Sequence, residues 1–350
     1  TLTGLFNKEF FFQYGKLLEN KRDHAPMDAI ILDINRFRIV NELYGQNYGD
    51  EVLRKIGGTI HKLVNEVGGL ACRVNNDIFF IYLPHRNDIT AKIQEYISMI
   101  EDTLENKKIT FRIGIYRDSS HAGEKFEMER KFDFAKLACR KLRNTYTTRF
   151  NFYNEELRKK EIHSEQLIND IDKAISEKQL KVFYQPKYNI SGDKPVLTSA
   201  EALVRWVHPE FGFINPGDFI PLFENNGLIQ KLDIYVWKEA AAQIKSWREK
   251  FGVYLPVSVN VSRVDIFDPM LGEILSGIIK ENEIEPGKLL LEITESAYVD
   301  NAGQIIDSVS RLRELGFKVE MDDFGCGYSS LNMLTALPLD ALKLDMAIVK

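Results

Sequence analysis

Asp322 and Asp323 stand side by side in the run Val319-Glu-Met-Asp-Asp-Phe-Gly-Cys-Gly-Tyr-Ser-Ser-Leu331, where an apolar, strand-like segment gives way to a glycine-rich turn. Adjacent strand residues point to opposite faces. A chain that twists at the end of a strand can nevertheless bring both carboxylates to one pocket, and Gly325 and Gly327 permit the backbone angles such a turn needs. Paired carboxylates followed by Gly and Ser suit a hard cation, which prefers oxygen ligands. An acidic surface turn has the same composition, so the pair alone leaves both meanings open.

Other polar residues decide between them. Glu201, Asn260, Glu292 and Lys343 also close apolar segments that read as strands. These strands are expected over Leu180–Pro186, Leu197–Val207, Val257–Val261, Leu289–Ile293, Phe317–Asp322 and Ala341–Asp345, with helices over Pro216–Asn225, Asp233–Lys250, Asp268–Glu281, Ala302–Leu315 and a short stretch at Leu331–Leu334. The alternation predicts a parallel sheet. If that sheet closes into a barrel, polar groups at the carboxyl ends of its strands converge on one mouth. Glu201, Asn260, Glu292, Asp322, Asp323 and Lys343 would then meet there. So many carboxylates are unfavourable together unless cations or protons offset them, and oxygen ligands favour Mg²⁺ or Mn²⁺.

The first half has a different order of elements. A turn at Thr3–Asn7 precedes a helix to about Glu19, and Ala29–Asp33 is a short strand ending in a carboxylate. Helices are expected over Arg36–Leu43, from about Gly49, over Ile89–Leu104 and over Phe132–Arg143. Gly69–Val74 and Ile78–Leu83 read as strands joined by a hairpin turn at Asn75-Asn76-Asp77, and Ile109–Tyr116 as another strand. The mixture predicts an α/β domain with a central sheet.

The carrying residues of this half, Leu2-Thr-Gly-Leu-Phe-Asn7, Asp33-Ile-Asn-Arg-Phe37, Asn41 and Gly45–Asp50, resemble the GGDEF family of diguanylate cyclase-like domains over about residues 1–153. The family's naming motif is broken: Asn75-Asn76-Asp77-Ile78-Phe79 stands in its place. Ile78 replaces a carboxylate that the resemblance implies would bind the catalytic metal, and isoleucine offers a hard cation no ligand. Asn75 and Asn76 put side chains where glycine would let backbone approach a nucleotide. The Arg-x-x-Asp inhibitory motif is also replaced, by Glu66-Val-Gly-Gly69. Cyclase activity is therefore not expected. Asp33, Asn41 and Asp50 persist, and the resemblance implies that Asn41 and Asp50 would contact guanine. The domain is expected to be a scaffold for dimerisation or signal transfer, or else a GTP sensor.

From about residue 180 to the end, the chain resembles the EAL family of cyclic di-GMP phosphodiesterases. The resemblance rests on Gln185-Pro186, Glu201-Ala-Leu-Val-Arg205, Asn260, Glu292-Ile-Thr-Glu295, Asp322–Ser330 and Lys343-Leu-Asp345, with Cys326 where a small hydroxyl residue is usual. It implies a TIM-like β/α barrel and two-metal hydrolysis of cyclic di-GMP to linear pGpG. Glu201, Asn260, Glu292 and Asp322 would hold one metal, and Asp322 with Asp323 a second. Lys343 would orient the nucleophile or offset charge, and Arg205 would contact a phosphate. Gln185, Leu203 and Asp345 would line the nucleotide site, and Glu295 would position the loop after Asp323. A receptor that binds cyclic di-GMP without cutting it is the alternative.

The remaining features bound the molecule. Residues 154–179 carry apolar positions near helical spacing and read as a helical linker between a domain at 1–153 and one at 180–350. With 350 residues, 44% hydrophobic and 28% charged, the chain fits an ordinary two-domain globular protein. Its net charge of -5 argues against a nucleic-acid polymer as partner, which needs a basic face. The three cysteines, without zinc-type spacing, point to a reducing cytoplasm. There is no membrane-length apolar run in the chain. The chain begins at Thr1 and stops shortly after Lys343, so a truncated barrel of about six strands is expected, with room for a membrane or sensor segment upstream. Dimerisation is implied by the resemblance alone.

Overall fold

The computed structural model describes residues 2–22, 25–75, 77–103, 109–118, 126–142, 149–295, 302–325 and 336–346. It falls into two units, Thr1–Ile162 and His163–Lys350.

The first unit is built on β1 (Met27–Ile34), whose side chains alternate between two cores. Met27, Ala29 and Ile31 enter one, and Ile30, Leu32 and Ile34 the other. Between Asp28 and Asp33 the run Ala29–Leu32 is wholly apolar, as a strand covered on both faces requires. Around it lie β2 (Leu70–Arg73), β3 (Ile78–Pro84), β4 (Phe111–Tyr116) and β5 (Phe150–Phe152), in the order β2-β3-β1-β4-β5. One face is covered by apolar residues of α3 (Gln46–Val67) and α4 (Ile89–Thr103), the other by those of α1 (Lys8–Lys21) and α5 (Met128–Arg140). The side chain of Asn7 caps α1, its Oδ1 accepting from Phe10 N at 2.8 Å. The short α2 (Phe37–Tyr44) breaks from α3 at Gly45, at φ 83°. β2 and β3 pair antiparallel, as the hairpin reading requires, although Asn76 lies outside the described residues.

The helix α6 (Glu155–Ser176) occupies the stretch read as a linker, and Leu167, Ile171 and Ala174 belong to the core of the second unit. That unit contains β6 (Leu180–Asn189), β7 (Val196–His208), β8 (Gly212–Ile214), β9 (Val257–Asn260), β10 (Leu289–Thr294), β11 (Lys318–Phe324) and β12 (Ala341–Leu344). Its helices are α7 (Pro216–Asn226), α8 (Ile229–Phe251), α9 (Arg263–Ile266), α10 (Leu271–Glu281) and α11 (Ala302–Glu314).

The parallel expectation holds from β7 through β9, β10 and β11 to β12. It fails at the first strand, because β6 runs antiparallel to β7, from Leu180 opposite Trp206 to Asn189 opposite Val196. The connection between them is too short for the crossover that a parallel pair needs. β8, also unforeseen, pairs antiparallel with the end of β7. The sheet is of the β/α-barrel type, with Leu289, Leu291, Val257, Val259, Val319 and Met321 buried in its core. The helix expected at Leu331–Leu334 and the residue Cys326 lie outside the described residues. Among the described residues, no helix is long and apolar enough to cross a membrane.

Candidate active site

Four strands of the second unit each deliver one charged group to a common point. Glu201 comes from β7, Glu292 from β10, Asp322 from β11 and Lys343 from β12. Carboxylate oxygens of Glu201, Glu292 and Asp322 lie within 4.8 Å of one another. Lys343 Nζ donates to all three, at 3.0 Å to Glu201 Oε2, 3.0 Å to Glu292 Oε2 and 2.9 Å to Asp322 Oδ2. Burial works against the Lys343 ammonium, but Asp322, Glu292 and Glu201 outweigh it and hold its pKa above the ordinary lysine range.

The donor set is tested by its own geometry. Three hard oxygen donors from separate strands crowd one point, and a single ammonium already bridges them. Two ammonium groups, Lys343 and Lys187, against the four carboxylates of Glu201, Glu292, Glu320 and Asp322 leave the cluster anionic, and anionic oxygen ligands fit a hard divalent cation.

Other expected site residues take definite places. Asn260 ends β9 exposed and opposite Glu292 in the parallel register. It lines a cavity of about 790 Å³ together with Leu203, Arg205, Ser262, Thr294 and Asp233. Glu201, Leu203 and Arg205 are two apart on β7, so one face carries all three. Gln185 is exposed and opposite Glu201 in the β6–β7 register. Asp345 follows β12, its backbone N–H donating to Phe324 O at 3.2 Å.

Asp323 stands outside the three-carboxylate group. The β11–β12 register shifts between Met321 and Phe324, and Asp323 adopts a left-handed backbone at φ 54°. Such a shift re-aims a side chain at a strand end. Burial first, then the Asp322 and Asp345 charges, push the Asp323 carboxyl above its usual range. Glu295 is buried, and its Oε2 accepts the backbone N–H of Gly325 at 2.9 Å, just beyond Asp323.

In the first unit, Asp33 lies between Ile78 on β3 and Arg112 on β4. Arg112 Nη2 donates to Asp33 Oδ2 at 2.8 Å. Asn41 packs over Gly49, where an added Cβ would come 1.9 Å from Asn41 Oδ1. A side chain at position 49 would displace the Asn41 amide, and Asp50 follows Gly49, half-buried.

The sequence reading missed Lys187, Ser258, Glu320 and Arg112. Lys187 Nζ donates to Ser258 Oγ, Glu292 Oε1 and Glu320 Oε2 at 2.6, 2.6 and 3.1 Å. The signal was present in the two-residue strand period. Lys187 follows Gln185 by two, Ser258 precedes Asn260 by two, and Glu320 precedes Asp322 by two.

Two family models match the chain: one described as EAL domain over residues 168–350, the other as Diguanylate cyclase, GGDEF domain over residues 1–148. Cyclic di-GMP phosphodiesterase PdeR of Escherichia coli is 30% identical over 358 residues, spanning 100% of this chain and 53% of PdeR. Cyclic di-GMP phosphodiesterase NbdA of Pseudomonas aeruginosa is 29% identical over 360 residues, spanning 100% of this chain and 45% of NbdA. The chain therefore spans about half the length of these curated relatives. The solved Vibrio cholerae LapD S helix-GGDEF-EAL structure, bound to c-di-GMP, superposes with a TM-score of 0.55. The match covers 98% of this chain and 81% of that one at 15% identity, a likeness of fold.

Proposed function

The chain belongs to the EAL family, with a GGDEF domain ahead of the EAL domain, and from that premise we propose that it hydrolyses cyclic di-GMP to linear pGpG. The observation that carries this reading is the convergence of Glu201, Glu292 and Asp322 around Lys343, beside the cavity lined by Arg205 and Asn260. The phosphodiesterase names of PdeR and NbdA support the substrate.

Glu201, Asn260, Glu292 and Asp322 would hold one divalent cation, Mg²⁺ or Mn²⁺, and Asp322 with Asp323 a second. Bound there, such cations would supply Lewis acidity toward a phosphodiester oxygen and would acidify a water near neutral pH. Lys343 stays charged; its three N–H groups are donated to Glu201, Glu292 and Asp322, and released from those carboxylates they would orient the attacking water and offset charge growing on phosphate. Arg205 holds a phosphate of the dinucleotide. Gln185, Leu203 and Asp345 bound the nucleotide site. Glu295 holds the chain beyond Asp323 through the Gly325 N–H.

The first unit acts without cyclase chemistry, as a scaffold or a GTP sensor. Ile78 beside Asp33 provides no ligand, and the Arg112 guanidinium already satisfies one Asp33 oxygen. A cytoplasmic, dimeric protein is the setting this reading expects.

The test is turnover of cyclic di-GMP with Mg²⁺ or Mn²⁺, resolved by chromatography, in the intact protein and in Glu201→Gln. The expected result is pGpG from the first and none from the second, with both melting alike. Tight binding without pGpG would make the protein a receptor, and unchanged hydrolysis in the variant would remove Glu201 from the chemistry.

A further inference from the structure

Glu292 is the most deeply buried of the converging carboxylates, its side chain 0% exposed. Its two oxygens have different partners. Oε2 accepts from Lys343 at 3.0 Å, and Oε1 accepts from Lys187 at 2.6 Å. The Lys187 ammonium reaches from β6 past β7 to side chains on β9, β10 and β11, because it also donates to Ser258 Oγ at 2.6 Å and Glu320 Oε2 at 3.1 Å. Ser258 closes the network by donating to Glu320 Oε2 at 3.1 Å. Glu320 lies opposite Glu292 in the β10–β11 register.

We propose that Lys187 is a positioning residue for Glu292, pinning Oε1 so that only Oε2 faces the cation site, while Glu320 offsets the charge that Lys187 would otherwise take from Glu292. This rests on the metal-centre reading above and adds to it a layer beneath the ligands. A buried carboxylate must have its acceptors satisfied, or its charge becomes expensive. Lys187 satisfies one Glu292 oxygen in a fixed direction. Without Glu320, the same ammonium would draw charge from Glu292 alone and weaken its donation to a cation. With Glu320 present, Lys187 is shared between two carboxylates, and Glu292 keeps its donor strength.

The sign of one measurement separates positioning from bulk charge. Coulomb's law alone says that removing an ammonium beside a cation site tightens cation binding. Loss of a group that orients a ligand instead weakens it, by about 10- to 100-fold in comparable outer-layer substitutions. The probe is Mn²⁺ alone, titrated into the intact protein with free Mn²⁺ read by electron paramagnetic resonance. The Glu201→Gln variant defines which part of the signal comes from this site. Lys187→Met is expected to weaken that binding by about tenfold or more, and to lower kcat while leaving KM for cyclic di-GMP within about twofold. Ser258→Ala changes no charge and removes one of the three oxygens that hold Lys187 Nζ; it is expected to weaken Mn²⁺ by about threefold or more where Coulomb's law predicts no change, and it decides the matter if Lys187→Met does not fold. Mn²⁺ binding unchanged or tighter in the folded variants overturns the proposal. Mn²⁺ binding that survives Glu201→Gln undiminished overturns instead the metal-centre reading beneath it.

Discussion

Asp33 shows how a single neighbouring residue changes what a carboxylate can do. On one side Ile78 offers it nothing, and on the other Arg112 holds it at 2.8 Å, each partner of the pair only 16% exposed. A cation at this place would have to displace a guanidinium that carries its own charge. Removing Arg112 uncovers the carboxylate without supplying the ligand missing at Ile78. Arg112→Ala is therefore expected to destabilise the first unit by about 1–3 kcal/mol, between an exposed and a buried pair. It is also expected to yield no cyclic di-GMP from GTP, checked by denaturant melts and a nucleotide assay; product from GTP would show that Asp33 suffices. The sequence made Asp33 visible, as it made Glu201, Glu292, Asp322 and Lys343 visible, because few side chains bind cations and these stand within or at the ends of strand-like runs. It did not expose Arg112, and it marked Lys187 only by its place two residues after Gln185. Each is a cation on a strand, ordinary in composition, and its meaning lies in which strand pairs beside it. Only the register puts Arg112 opposite Asp33, and only the β6 direction lets Lys187 reach side chains on three strands.

At the scale of elements, the strands and long helices were legible from apolar periodicity, whereas direction and small connecting pieces were not. β6 and β7 are both apolar-patterned strands, and nothing in their residues states that they run antiparallel. The short α9 was missed because its purpose is tertiary. Ser262 caps it, with Asp265 N donating to Ser262 Oγ at 3.2 Å, and Ser262 N donates to Asp233 Oδ2 on α8 at 3.2 Å. Burial first, then Asp265, push the Asp233 carboxyl well above the usual carboxylate range. The folded state thus holds a proton that the unfolded chain releases near pH ~3.9. Its stabilising share is complete below that value and is lost as pH rises toward the folded pKa. Asn at this position keeps an acceptor for Ser262 N and an N–H for Asp265 but does not titrate. Asp233→Asn is expected to gain steadily on the wild type in melting temperature as pH rises from about 4 toward about 8. A gap that stays constant across that range would mean Asp233 is ionised in the fold.

At the scale of the molecule, two sets of cores serve two different tasks. Leu32, Ile56 and Phe111 belong to the first unit, and Trp206, Trp237 and Leu291 to the second. A domain with its own core unfolds as its own cooperative step unless something couples it to its neighbour. Calorimetry is therefore expected to show two transitions, which the variants above identify. Arg112→Ala should lower one and Asp233→Asn, at alkaline pH, should raise the other. A ligand that binds only the folded form at about 100 times its Kd adds about 2.7 kcal/mol to the unit that holds it. Mn²⁺ should then lift the transition that Asp233→Asn moves and leave the other in place. GTP without added metal should lift the transition that Arg112→Ala lowers if the first unit senses nucleotide, and should move neither if that unit is a scaffold. If Mn²⁺ raised both transitions together, the independence of the two cores would fail, and the GGDEF unit would have to be treated as part of the same cooperative body as the site that binds the cation.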